Sequence, residues 1–116
     1  MEFLPIFLNV RNQSCLVVGG GDVAARKVEL LLAAGARVTV TAPELCAALA
    51  ELLQKGRIEH RAESFSSAAL DGVNLVVAAT DDRAVNAEVS RLAQAKAIPV
   101  NVVDDPELCS FILPAI

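Results

Sequence analysis

The stretch "SCLVVGGGDVAARKV" (14–28) decides how this chain is read. An apolar run stops at Gly19, Gly20 and Gly21, and helical spacing begins three residues later at Ala24. Gly19, Gly21 and Ala24 fit the pattern G-x-G-x-x-[GA] between a strand and a helix. There the first glycine permits the turn, the second lets a diphosphate approach the backbone, and a small third residue lets helix and strand pack closely. The helix N-terminus adds unpaired N–H groups and a partial positive charge. Taken alone the same glycines make only a tight turn; their position between strand and helix favours dinucleotide binding.

Outward from this stretch the pattern repeats. "SCLVVG" (14–19), "RVTVTA" (37–42), "VNLVVAAT" (73–80) and "IPVNVVD" (98–104) are short Val-rich runs, suited to strands buried on both faces. "RIEHR" (57–61) is more polar and suits a strand near an edge. Ala24, Val28, Leu31 and Leu32 keep helical spacing until Gly35; Leu45, Leu49, Leu52 and Leu53 do so until Gly56; Val85, Val89, Leu92 and Ala93 do so before Pro99. Residues 64–72 are Ser-rich and hold at most a short helix. Alternating strands and helices predict an α/β, Rossmann-like, doubly wound parallel sheet of order 3-2-1-4-5. The strands are expected near 15–18, 37–41, 57–61, 74–79 and 99–103. "FLPIFLNV" (3–10) is expected to add an edge strand, since Pro5 would remove a ladder bond from a central one.

The 116 residues suit one domain, 1–116. At 54% hydrophobic and 21% charged, the chain is not of disordered composition. No apolar segment is long enough for a membrane helix, and "MEFLPIFLNV" lacks the features of a signal peptide. The net charge of −4, the absence of a basic run and the scarcity of aromatics argue against a nucleic-acid partner. Cys15, Cys46 and Cys109 make no CxxC pair, and with His60 as the sole histidine no zinc set is expected. They read as reduced thiols of a cytoplasmic protein.

Dinucleotide folds commonly end the second strand in an acid that bonds the adenosine ribose. Here that strand leaves through Val40, Thr41, Ala42 and Pro43, and the first acid is Glu44. Glu44 either reaches the ribose from the loop or favours the start of the following helix. NAD is expected over NADP because this loop holds no arginine for a 2′-phosphate; Arg37 sits at the other end of the strand. Asp22 is either the helix N-cap or a contact to the cofactor's sugar. Beyond the fourth strand lie Thr80, Asp81, Asp82 and Asn86: capping accounts for one aspartate, leaving Thr80 and Asn86 as possible cofactor contacts. Beyond the fifth lie Asn101, Asp104 and Asp105. Asp105 precedes Pro106 and reads as a turn residue. Asp104, at the strand tip, is the better candidate to move protons beside a bound ligand. His60 reads as a surface or packing residue.

"LPIFLNVRNQSCLVVGGGDVAARKVELLLAAGARVTV", "AATDDRAVN" and "NVVDDPELCSFILPAI" resemble the N-terminal module of the siroheme synthase family over essentially the whole chain. That resemblance implies NAD-dependent oxidation of precorrin-2 to sirohydrochlorin, followed by ferrous iron insertion at the same site to give siroheme. It carries the acid/base role to Asp104 and the NAD contacts to Asp22, Val23, Pro43 and Glu44; Asn101, in the cluster beyond the fifth strand, is the expected substrate contact. The partners implied are a tetrapyrrole and ferrous iron, with no resident metal. It also implies that 1–116 is part of a longer homodimeric protein whose helical dimerisation segment follows. Arg11, Arg26, Lys27 and Arg83 are the basic residues available to a carboxylate-rich substrate. The competing expectation is a non-catalytic, NAD-binding regulatory domain, which would have no need for "NVVDD" followed by "SFILPA".

Overall fold

The computed structural model describes residues 2–113; 114–116, the end of "SFILPAI", lie outside the described residues. Five parallel strands, β1 (Ser14–Val18), β2 (Arg37–Thr41), β3 (Glu59–Arg61), β4 (Leu75–Ala78) and β5 (Val100–Val102), form one sheet in the order 3-2-1-4-5. Between them run α1 (Asp22–Ala33), α2 (Ala47–Gln54) and α3 (Arg83–Ala95), with short 3-10 turns at Ser67–Leu70 and Pro106–Leu108.

The continuous apolar runs make sense once each strand is split by its twofold alternation. Cys15 and Val17 of β1, Val38 and Val40 of β2, and Leu75 and Val77 of β4 pack with Val28, Leu31 and Leu49 under α1 and α2. Leu16, Val18, Val76, Ala78, Val100 and Val102 face the other way, against Leu70 and the Val89 and Ala93 stripe of α3. A sheet covered on both sides leaves no polar alternation, and each Val or Leu so buried contributes roughly 1.5–3 kcal/mol.

The helices stop where the chain turns left-handed. After α1, Gly35 at φ 83° donates to Leu32 O, and Ala36 N–H reaches Leu31 O. Gly56 at φ 71° repeats this after α2, with bonds to Leu53 O and from Arg57 N–H to Leu52 O. After α3 the same pair of bonds forms around Ala97 at φ 56°, which carries a side chain in that strained region.

The expected edge strand at 3–10 is corrected: no strand forms there, and Leu4, Ile6, Phe7 and Leu8 are exposed. The outer edge of β5 is taken instead by residues 109–111. Ser110 N–H donates to Val100 O, Val100 N–H to Ser110 Oγ, and Val102 N–H to Cys109 Sγ. With that edge taken and no N–H on Pro5, the N-terminal segment gains no ladder. Only Val10 enters the core, where the chain turns against Gly35 through an Asn12 N–H to Gly35 O bond of 2.9 Å.

All five strands point their carboxyl ends at one rim. The ladder continues one step into the loops: Gly19 N–H to Thr41 O, Ala42 N–H to Arg61 O, Ala79 N–H to Val18 O and Val103 N–H to Ala78 O. The loops that carry the polar residues are thereby fixed to the sheet. Among the described residues no helix is long and apolar enough to cross a membrane.

Candidate functional site

A cavity of about 560 Å³ opens over the carboxyl ends of the strands, lined by residues 18–23, 41–44, 63–65, 79–81 and 85. It collects Gly19, Gly21, Asp22, Val23, Pro43, Glu44 and Thr80, which come from three separate segments of the sequence.

The three glycines have three different reasons. Gly19 sits at φ 132°, and a side chain there would run into the Ala79 carbonyl. At Gly20 a Cβ would overlap the Glu44 carbonyl, because the loop after β2 lies directly on the turn and Cys46 N–H bonds Gly20 O at 2.7 Å. A Cβ on Gly21 would meet nothing within 4 Å. Gly21 has extended backbone and is the N-cap of α1 with no side chain to cap it. The first-turn N–H groups therefore face the cavity without a protein partner from a cap, which fits a diphosphate. Gly20 is the unspecified position of the motif, and its need depends on the path of a loop twenty-odd residues later.

Asp22 is not the N-cap of α1; Gly21 is, and Asp22 is the first helical residue, exposed on the cavity wall. Glu44 is also exposed in the cavity lining, ahead of the Cys46 cap and outside the first turn of α2. Thr80 Oγ1 donates to Asn86 Oδ1 at 2.7 Å, and Asn86 Nδ2 donates to Thr80 O at 3.0 Å. Asn86 thus works as a clamp on the Thr80 loop. Asp82 caps α3, accepting from Ala84 N–H and Val85 N–H, so one aspartate of the pair is a cap as expected. The lining includes Asp22, Glu44, Glu63 and Asp81 and, among the described residues, no Lys or Arg.

Asp81 also lines a smaller, open cavity of about 330 Å³ with Arg83, Asn86, Val103, Asp104 and Asp105. The two hollows therefore adjoin along one rim. Asp105 N–H bonds Val102 O at 3.2 Å and closes a turn in which Asp104 takes φ 62°. Aspartate tolerates that region better than most residues, and such strain is concentrated at functional positions. Asp105 is ion-paired with Arg83 at 3.2 Å, whereas Asp104 is exposed with no bonded partner among the described residues. Asn101 is not brought to this rim: it is 7% exposed, and its Nδ2 donates to Phe111 O at 3.2 Å. His60 Nε2 donates to Ala42 O at 2.8 Å and steadies the loop after β2. No cluster of three or more potential metal ligands occurs among the described residues.

Fold and site together define a Rossmann-type nucleotide-binding module. The family described as "Putative NAD(P)-binding" matches residues 6–115, and the chain belongs to that family; NAD(P) is its cofactor class. Over its full length the chain is 62% identical to a siroheme synthase of Methylobacillus flagellatus and 56% identical to one of Chromobacterium violaceum. It spans 25% of the length of each of these curated relatives. Among solved structures, "SirC, precorrin-2 dehydrogenase" superposes with a TM-score of 0.85 at 30% identity, covering 97% of this chain and 55% of that one.

Proposed function

We propose that this chain is the NAD-dependent dehydrogenase module of a siroheme synthase, oxidising precorrin-2 to sirohydrochlorin. The observation that carries the reading is the capless α1 terminus at Gly21, open on a cavity that adjoins the unpaired Asp104 carboxylate through Asp81. When bound, NAD would supply the hydride acceptor. The first-turn N–H groups after Gly19 and Gly21 hold the diphosphate, Asp22 and Glu44 bond sugar hydroxyls, and Val23, Pro43 and the clamped Thr80 shape the walls. With no cationic side chain in the lining, NAD is favoured over NADP, whose 2′-phosphate would stand among carboxylates.

The residue at the reacting ring is Asp104. Loss of a hydride from the reduced macrocycle leaves a cationic ring system that must also lose a proton. A carboxylate held at the strand tip takes that proton, and positioning in a shared crevice supplies much of the rate. Ferrous ion insertion, with the ion as substrate, uses the same group: two pyrrole N–H protons must leave as the metal enters. We assign this second step to the same crevice in the homodimeric, cytoplasmic parent protein. Asn101 serves in this reading only by tying β5 to the segment beside it.

The test is Asp104→Asn in the full-length parent, since asparagine keeps the left-handed backbone while removing the base. NAD affinity should stay within about twofold while NAD-dependent oxidation of precorrin-2 falls by at least about 100-fold, the scale of general-base catalysis. Unchanged turnover would remove Asp104 from the chemistry.

A further inference from the structure

One polar group in the larger cavity is not explained by the protein's own structure. Thr41, the last residue of β2, is 1% exposed, and its Oγ1 is buried with no hydrogen-bond partner among the described residues. Buried hydroxyls are nearly always bonded, so an orphan calls for a missing partner. Its neighbours do not supply one. Thr41 pairs with Val18 of β1 and Arg61 of β3, and its carbonyl is already used by Gly19 N–H. Val40 faces α1 and α2, so alternation turns the Thr41 side chain to the other face, where Phe65 packs.

The place of the orphan is informative. Thr41 belongs to the cavity wall that also holds Gly21 and the α1 terminus, and it lies 20 residues beyond Gly21 (41 − 21). That is the distance at which dinucleotide folds commonly put the acid that bonds the adenosine ribose. No acid stands there in this chain; Glu44 is exposed in the loop. A hydroxyl both donates and accepts, so it matches a sugar hydroxyl or a bridging water without adding negative charge to a lining already rich in carboxylates.

We propose that the Thr41 hydroxyl, covered in the free protein and brought to the cavity by a turn about its Cα–Cβ bond, is the polar group with which the end of β2 holds the adenosine-side ribose, directly or through one water. The inference rests on the NAD-binding reading above. Binding satisfies a group that the free protein leaves unpaired, so dinucleotide binding and relief of the orphan are one event.

The test is calorimetric titration of this chain with NAD and with ADP-ribose, beside melting curves without ligand. Thr41→Val keeps the shape and removes the hydroxyl. It should weaken NAD and ADP-ribose alike by about tenfold, the loss of one hydrogen bond, while the free protein melts no lower than wild type. Thr41→Ser should bind within about twofold of wild type. Equal NAD affinity in Thr41→Val, or a loss seen with NAD but not with ADP-ribose, would overturn the assignment. So would a lower melting point of free Thr41→Val, which would reveal a structural partner for the hydroxyl. Failure of wild type to bind NAD would instead remove the reading beneath it, and this inference with it.

Discussion

The same local device, a strand leaving the sheet and turning into a helix, is built twice on this rim, and the two copies end differently. After β4, Asp82 caps α3 with its own carboxylate while Thr80 and Asn86 lock the loop, so the helix terminus is closed by the protein. After β1, Gly21 stands at the cap position with no side chain, and α1 begins with its N–H groups open to the cavity. A side-chain cap is worth about 1 kcal/mol over alanine but only a few tenths over glycine, so Gly21 leaves the α1 terminus open at little cost in stability. A Cβ there would meet nothing within 4 Å, so the space in front of the terminus is free for a ligand. The closed junction gives rigidity; the open one gives affinity.

That contrast can be broken in three ways. The largest effect is expected at Gly20, where the open junction is pressed against the loop after β2. Gly20→Ala forces a backbone shift against the Glu44 carbonyl and should destabilise the protein by about 3 kcal/mol, read as a clear drop in the urea midpoint. A midpoint within error of wild type would mean the two loops separate freely. Next comes Gly21→Asp, which rebuilds the open junction in the image of the closed one. There is room for the side chain, so the free protein should melt within about 2 °C of wild type, since a Gly-to-Asp change at a cap alters stability by only a few tenths of a kcal/mol. NAD affinity should nevertheless fall by at least about 100-fold, because the carboxylate occupies the N–H groups and repels the diphosphate. Retained binding would make the glycine turn structural only. The smallest is Asp82→Ala, which opens the closed junction: a loss of about 1 kcal/mol by thermal unfolding, with NAD affinity unchanged.

The architecture was legible because Val17 and Val18, or Val76 and Val77, cannot both be buried in sequence unless both faces of the sheet are covered. The helix stops at Gly35 and Gly56 were legible for a similarly local reason. The edges were not. Whether residues 3–10 pair depends on which strand edge is free, and Cys109, Ser110 and Phe111 decide that from the far end of the chain. The site divides along the same line. Gly19 and Gly21 follow from motif spacing, and Asp104 from its position after a strand. Gly20 needs the path of the loop at Glu44, the cap alternative for Asp22 falls because Gly21 holds that position, and Thr41 looks in sequence like any β-branched strand residue. Only its lack of a partner in three dimensions sets it apart.

Cys15 lies at the centre of this sheet, fully covered, and burial pushes its thiol above the ordinary range. A thiol that is both sealed and protonated cannot meet an alkylating reagent until the sheet itself parts, whereas Cys46, half-buried beside the turn, is not so shielded. The chain thus carries its own clock for global opening. The rate at which Cys15 becomes labelled measures how often the whole domain comes apart, and ligands that grip the rim should slow it.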